Sequence, residues 1–209
     1  MLIFCLNYDI ILLKELIYLQ YTVLERAIRF AVDAHAGQTR KDGSPFILHP
    51  LEDASIVGTM TGDLEILAAA VLHDTVEDTD TTEEDILQTL GPRVHALVMH
   101  ETENKRPALS PKDTWRVRKE ESLELLKDSN DPATLMLWLG DKLANIRALK
   151  RDHDVLGVKV FDRFNNKDPR DQKWYYGTIL KLLSPLSDTA AYREYSMLYH
   201  AVFDGYEGE

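Results

Sequence analysis

From Tyr21 onward the apolar residues recur about every 3.6 positions, and no stretch alternates convincingly as a strand would. That period restricts the fold to packed helices. Leu24, Ala27, Ile28, Ala31 and Ala34 mark one face of a first helix ending near His35. Gly37 breaks it, and Gln38 to Pro50 reads as a loop containing Gly43, Pro45 and Pro50. Leu51, Ala54, Val57 and Thr61 suggest a second helix, and Asp63 is a plausible cap for a third that runs to His73. Thr81 and Glu84 have the spacing of a capping box ahead of Ile86, Leu87 and Leu90. Gly91 ends that helix and Pro92 opens the next. Ser110-Pro111 and Asp131-Pro132 repeat the cap-then-Pro signal, the second ahead of Leu135, Leu139, Leu143 and Ile146 on one face. Further helices are expected over Val155 to Phe164, Pro169 to Leu183 and Asp188 to Phe203. The expectation is one all-α domain over residues 21–209, with a motif core at 21–150 and C-terminal helices at 151–209.

Residues 1–20 are apolar at first sight but are interrupted by Asp9, Lys14 and Glu15. They lack a basic start and a small-residue cleavage site, so neither a signal peptide nor a membrane span is expected. A leading helix packed on the domain is the favoured reading. A start codon placed too far upstream, leaving a weakly ordered extension, is the other.

Charge narrows the function. With 24 Lys+Arg against 35 Asp+Glu, the net charge of −11 argues against a nucleic-acid binder. An anionic small molecule would need local bases or a metal to overcome that field. A single Cys excludes a disulfide framework and a thiolate zinc site, and suits an intracellular, cytoplasmic protein. Cys5 has no basic neighbour that would make it a nucleophile.

Three places carry polar residues where a helical core should not have them. Leu67 to Leu72 is too apolar for a surface, yet His73, Asp74, Glu77 and Asp78 follow without a spacer. On a continuous helix His73 lies over Glu77 and Asp74 over Asp78. Such a group at the end of a buried helix calls for a cation. Asp141 and Asn145 share a face of a second apolar helix, where Asp141 falls among Leu137, Trp138 and Leu139. A partner is needed there, and Lys142 is a poor one because adjacent helical residues do not face each other. His49 closes the loop that begins near Arg40 and Lys41. Two imidazoles and two carboxylates (His49, His73, Asp74, Asp141) suit a divalent first-row metal. Six-coordinate Mn²⁺ or Fe²⁺ would keep two positions for water and a phosphate oxygen, whereas tetrahedral Zn²⁺ would be filled.

The stretches FAVDAHAGQTRKDGSPFILHP (Phe30 to Pro50), AAAVLHDTVEDT (Ala68 to Thr79), LGPRVHALV (Leu90 to Val98) and LGDKLANIRAL (Leu139 to Leu149) carry a family resemblance. Over roughly Tyr21 to Lys150 the chain resembles the HD-domain metal phosphohydrolases. In particular it is similar to the hydrolase domains of RelA/SpoT-type alarmone enzymes and their small stand-alone relatives. The resemblance implies a single compact HD-domain helical bundle, with His49, His73, Asp74 and Asp141 as metal ligands. It implies Glu77 and Asp78 as the catalytic acidic pair, and Arg40, Lys41 and Asn145 as nucleotide contacts. It departs from the alarmone pattern at Lys142, Ala144 and Ala148, where that pattern has Arg, His and Thr, and at Phe46, where Tyr is usual. No synthetase region is expected, since the chain ends about where that domain would begin in the long enzymes.

The implied activity is Mn²⁺-dependent removal of pyrophosphate from the 3′ position of (p)ppGpp. An HD phosphohydrolase of another nucleotide or phosphorylated cofactor stays open, as does a nucleotide-sensing HD domain without turnover. The implied partner is a small nucleotide, with no nucleic acid and no membrane; the sequence does not speak to oligomeric state. His35 reads as a buried, hydrogen-bonded residue near the motif loop. Lys105, Arg106, Lys112 and Arg116 read as solvated surface or further phosphate contacts, and Trp174, Tyr175 and Tyr176 as core.

Overall fold

One helix is apolar nearly all round and a second is so over its N-terminal half, and each must therefore be covered on several sides. The computed structural model describes residues 22–106, 108–129 and 131–206. The expected helix at residues 1–20 lies outside them. The order is α1 (Val23–Ala34), α2 (Leu48–Val57), α3 (Leu64–Leu72), the single turn α4 (Thr75–Asp78), α5 (Glu83–Leu90) and α6 (Pro92–Glu101). There follow α7 (Trp115–Asp128), α8 (Pro132–Leu156), a 3₁₀ segment (Gly157–Arg163), α9 (Pro169–Leu182), a 3₁₀ turn (Ser184–Leu186) and α10 (Ala190–Phe203). Among the described residues the only extended pairing is an isolated bridge between Thr39 and Pro45. The fold is all-α.

The first of the two apolar helices, α3, is wrapped by α1, α2 and α6. Ala68, Ala69, Ala70, Val71 and Leu72 are all fully buried there. The second, α8, runs 25 residues and packs against α2, α10 and the 3₁₀ segment. Its Leu137 joins the cluster around α3, while Leu139, Leu143 and Ile146 join a second cluster with Phe161, Tyr195 and Phe203. Each buried Leu contributes about 1.5–3 kcal/mol. Thus α8 is the wall shared by the two halves of the core, and its polar residues lie where those halves meet.

Several boundaries differ from the sequence expectation, each for a local reason. Helix α2 starts at Leu48, so His49 and Pro50 are helical rather than part of the loop. Proline is tolerated there because first-turn N–H groups have no intrahelical partner. The capping box is Thr82 with Asp85, one residue after the expected pair. Thr81 is diverted, since its hydroxyl and its N–H both bond to Thr79 Oγ1 (2.8 and 3.0 Å). Ser110-Pro111 opens a turn instead of a helix. The Ser110 carbonyl accepts from Asp113 and Thr114, and Pro111 O accepts from Arg118, so α7 waits until Trp115. Around Gly157 (φ 58°) α8 stops, and residues 157–163 form a 3₁₀ segment in place of a separate helix. Asp63 and Asp131 cap α3 and α8 as expected, through Glu65 N–H and Ala133 N–H.

Gly91 joins α5 to α6 with φ 94° and ψ 170°, a region essentially closed to other residues. A Cβ there would meet nothing within 4 Å, so any cost is backbone strain alone. Gly91→Ala is expected to lower stability by about 1–3 kcal/mol, read from the midpoint of urea unfolding.

Candidate metal centre

Each of four donor side chains is brought in by a different constraint. His49 sits in the first turn of α2. His73 caps the C-terminus of α3, and Asp74 is the next residue, where the helix breaks before α4. The break replaces the continuous helix expected from the sequence. Thr75 Oγ1 donates to Leu72 O (2.6 Å), and α4 restarts with Asp78 N–H bonded to Asp74 O (2.9 Å). Asp141 comes from the middle of α8.

The donor atoms face one another. His49 Nε2 lies 3.1 Å from Asp141 Oδ1 and 3.6 Å from Asp74 Oδ2. His73 Nε2 lies 3.1 Å from Asp74 Oδ2 and 3.6 Å from Asp141 Oδ1. His49, His73 and Asp141 offer atoms within 4.8 Å of one another. Donors about 2.1 Å from one cation lie about 3.0 Å apart at adjacent octahedral positions and about 3.4 Å apart in a tetrahedron. The observed separations of 3.1 and 3.6 Å lie close to these values.

Hydrogen bonding supports that fit. His73 Nδ1 bonds to Ala70 O (2.8 Å) and therefore carries the ring's proton in the neutral form. Nε2 is then a bare lone pair, buried without a hydrogen-bond partner and facing two carboxylates. Such an arrangement is repulsive unless a cation sits between. The electrostatics agree. Burial pulls the His73 imidazole down, but the Asp74 charge and the nearby carboxylates of Asp141 and Asp53 push it well above its ordinary value. Burial pushes Asp141 up, yet Lys142 and the two imidazoles hold it well below the usual carboxylate range.

The other expected site residues line the same cleft, of about 650 Å³. Glu77 Oε2 accepts from Glu103 N–H (3.2 Å), and Glu77 Oε1 lies 3.2 Å from Lys105 Nζ, which also bonds to Asp78. Burial, then the charge of Asp74, raises Glu77 above its ordinary value. Arg40 Nη2 donates to Asn145 Oδ1 (2.9 Å), and Asn145 Nδ2 donates to Asp141 Oδ1. Lys41 Nζ stands 4.5 Å from the centre of the Phe164 ring. His35 stacks on Phe46 at 4.6 Å and bonds to Gln38, whose amide donates to Asp78 O. Of the four bases after Glu101, Lys105 reaches the acidic pair, while Arg106 and Arg116 pair with Glu121 and Glu120. Tyr175 and Tyr176 are core, as expected.

Two features depart from the sequence reading. Lys142 does pair with Asp141, because its long stem curls back over Trp138 (Nζ to ring centre 4.9 Å). Asp53, unnoticed in the sequence, is fully buried with its Oδ2 3.2 Å from His73 Nδ1. Its position four residues after His49 on one helix was the available signal.

A sequence model described as HD domain matches residues 27–168. The chain belongs to the HD domain family. Within reach of this HD domain are curated relatives named guanosine-3′,5′-bis(diphosphate) 3′-pyrophosphohydrolase. That of Aquifex aeolicus is 38% identical over 126 residues (60% of this chain and 18% of the relative). That of Vibrio cholerae is 37% identical over 131 residues (62% and 18%). The chain therefore spans under a fifth of those relatives' length. Among solved structures, a protein of Listeria monocytogenes, lmo0812, matches with a TM-score of 0.65 and 32% identity over 75% of this chain and 99% of its own. A metazoan ortholog of SpoT, described as hydrolysing ppGpp, shares the HD domain fold with a TM-score of 0.68 and 23% identity over 87% of this chain and 96% of its own. Among the described residues no helix is long and apolar enough to cross a membrane.

Proposed function

We propose that this chain is a metal-dependent phosphohydrolase, acting in the cytoplasm, that removes pyrophosphate from the 3′ position of (p)ppGpp to leave GDP or GTP. One observation carries the reading: the imidazoles of His49 and His73 each lie 3.1–3.6 Å from the carboxylates of both Asp74 and Asp141, with Glu77, Asp78, Arg40 and Lys41 lining the same cleft. The names of the curated relatives support that choice of substrate. His49, His73, Asp74 and Asp141 would hold the cation, and the mixed imidazole and carboxylate set favours Mn²⁺. When bound, such a cation lowers the pKa of water and polarises a phosphoryl oxygen.

The chain's own residues do the rest. Glu77, placed by the Glu103 N–H and kept proton-hungry by burial, is sited to take the proton of the attacking water. The water oxygen bonds to the phosphorus next to the ribose 3′ oxygen, that P–O bond breaks, and the 3′ oxygen receives a proton. Asp78, held by Lys105, is the second acid at hand for that transfer. Arg40, fixed in direction by Asn145, and Lys41 offer the local positive charge that a chain of net charge −11 needs to hold a nucleotide anion.

The test is direct. Purified protein with Mn²⁺ should release pyrophosphate from ppGpp and leave GDP with its 5′ diphosphate intact, as read by ion-exchange chromatography. Protein that is inert on ppGpp but cleaves another nucleotide would overturn the substrate and leave the site standing.

A further inference from the structure

Asp53 has no place in the chemistry just described, yet the fold is built around it. Its side chain is wholly buried, a costly position for a carboxylate. It lies one turn beyond His49 on α2, behind the His73 ring and not in front of it. Its Oδ2 is 3.2 Å from His73 Nδ1, the nitrogen whose proton also points to Ala70 O at 2.8 Å. Neither Asp53 oxygen has a well-aligned hydrogen bond of its own. The space it fills is kept open from α8: a Cβ on Gly140 would run into Asp53 Oδ1 and come within 2.6 Å of Val57 Cγ2. Gly140 immediately precedes Asp141, so one turn of α8 both supplies a donor and makes room for the carboxylate behind another.

We propose that Asp53 is a positioning residue for the metal centre. From behind His73 it fixes the Nδ1–H edge of the ring, keeps Nε2 turned towards the cation, and strengthens Nε2 as a donor through its negative charge. A carboxylate on the far nitrogen of a ligating histidine acts in this way in general. The proposal rests on His73 being a ligand, and it adds what holds His73 in that role. A carboxylate kept only for packing would be a poor choice, since an apolar side chain of similar volume fills a buried site at less cost.

The experiment measures Mn²⁺ affinity and metal-free stability in the same variants. In Asp53→Asn, which keeps the shape and removes the charge, Mn²⁺ binding by electron paramagnetic resonance titration should weaken about 10–100-fold. The urea midpoint of the metal-free protein should hold or rise, and in Asp53→Val it should rise. That split, weaker metal in a protein no less stable, is what a merely structural role would not produce. Affinity unchanged in Asp53→Asn overturns the proposal. Metal-free protein destabilised by both substitutions overturns it too, since Asp53 would then serve the fold. Wild-type protein that binds no Mn²⁺ would remove the metal centre and this role together, whereas wild-type binding with an unaffected Asn variant removes this role alone.

Discussion

Asp141→Ala should slow pyrophosphate release from ppGpp at least about 10³-fold, a barrier increase of about 4 kcal/mol. The substitution takes away the oxygen that lies 3.1 Å from His49 Nε2 and 3.6 Å from His73 Nε2, and with it half the negative charge of the donor set. It also strands Lys142. Burial pulls that ammonium down, but the Asp141 carboxylate beside it holds it well above its ordinary value. Without Asp141 a buried cation is left next to the place meant for the metal, and the two repel. Loss of Mn²⁺ binding should therefore accompany loss of rate. Adding Lys142→Met removes the stranded charge, so the double variant should regain stability in urea without regaining turnover. An Asp141→Ala protein that keeps a tenth or more of the wild-type rate (a barrier change below about 1.4 kcal/mol) would rule out Asp141 as a donor.

Glu77→Gln should lower the rate by about 10²–10⁴-fold, the usual range for loss of a positioned acid or base. Its signature differs from that of Asp141→Ala, because Mn²⁺ binding should survive. Gln keeps an oxygen to accept from Glu103 N–H and keeps the side-chain length. It loses the ability to take a proton and the ion pair with Lys105. A Gln variant that loses the metal as well would place Glu77 among the ligands. One that turns over normally would leave Asp78 to handle the proton.

The legible parts of this protein are those where sequence neighbours conflict. His73 and Asp74 stand out because six apolar residues precede them, and Asp141 because Leu and Trp surround it; the structure brings these residues and His49 together. The cap and following proline at Asp131 open a helix as read, whereas the same signal at Ser110-Pro111 opens a turn, because the carbonyls of that pair are engaged by Asp113, Thr114 and Arg118. The illegible parts depend on distant residues or on competition between equals. Asp53 stands four residues after His49, but the space that encloses it is kept open by Gly140 on another helix, far away in sequence. Thr81 and Thr82 offer the same capping chemistry, and Thr79 decides between them by engaging Thr81. Lys142 misled because the rule about adjacent helical residues describes where side chains leave the backbone, not where a four-carbon stem can end.

The 25-residue helix α8 sets Gly140, Asp141, Lys142 and Asn145 within two adjacent turns of a single rod. By contrast, Arg40, Lys41 and Lys105 stand on the irregular segments between helices. Floor and rim of the cleft are thus mechanically separate. Exchanging residues on the rim alters which anion is welcomed without disturbing the floor, whereas any shift along the rod moves several functional groups at once. Diversification among chains of this architecture is therefore cheap at the mouth and expensive at the base.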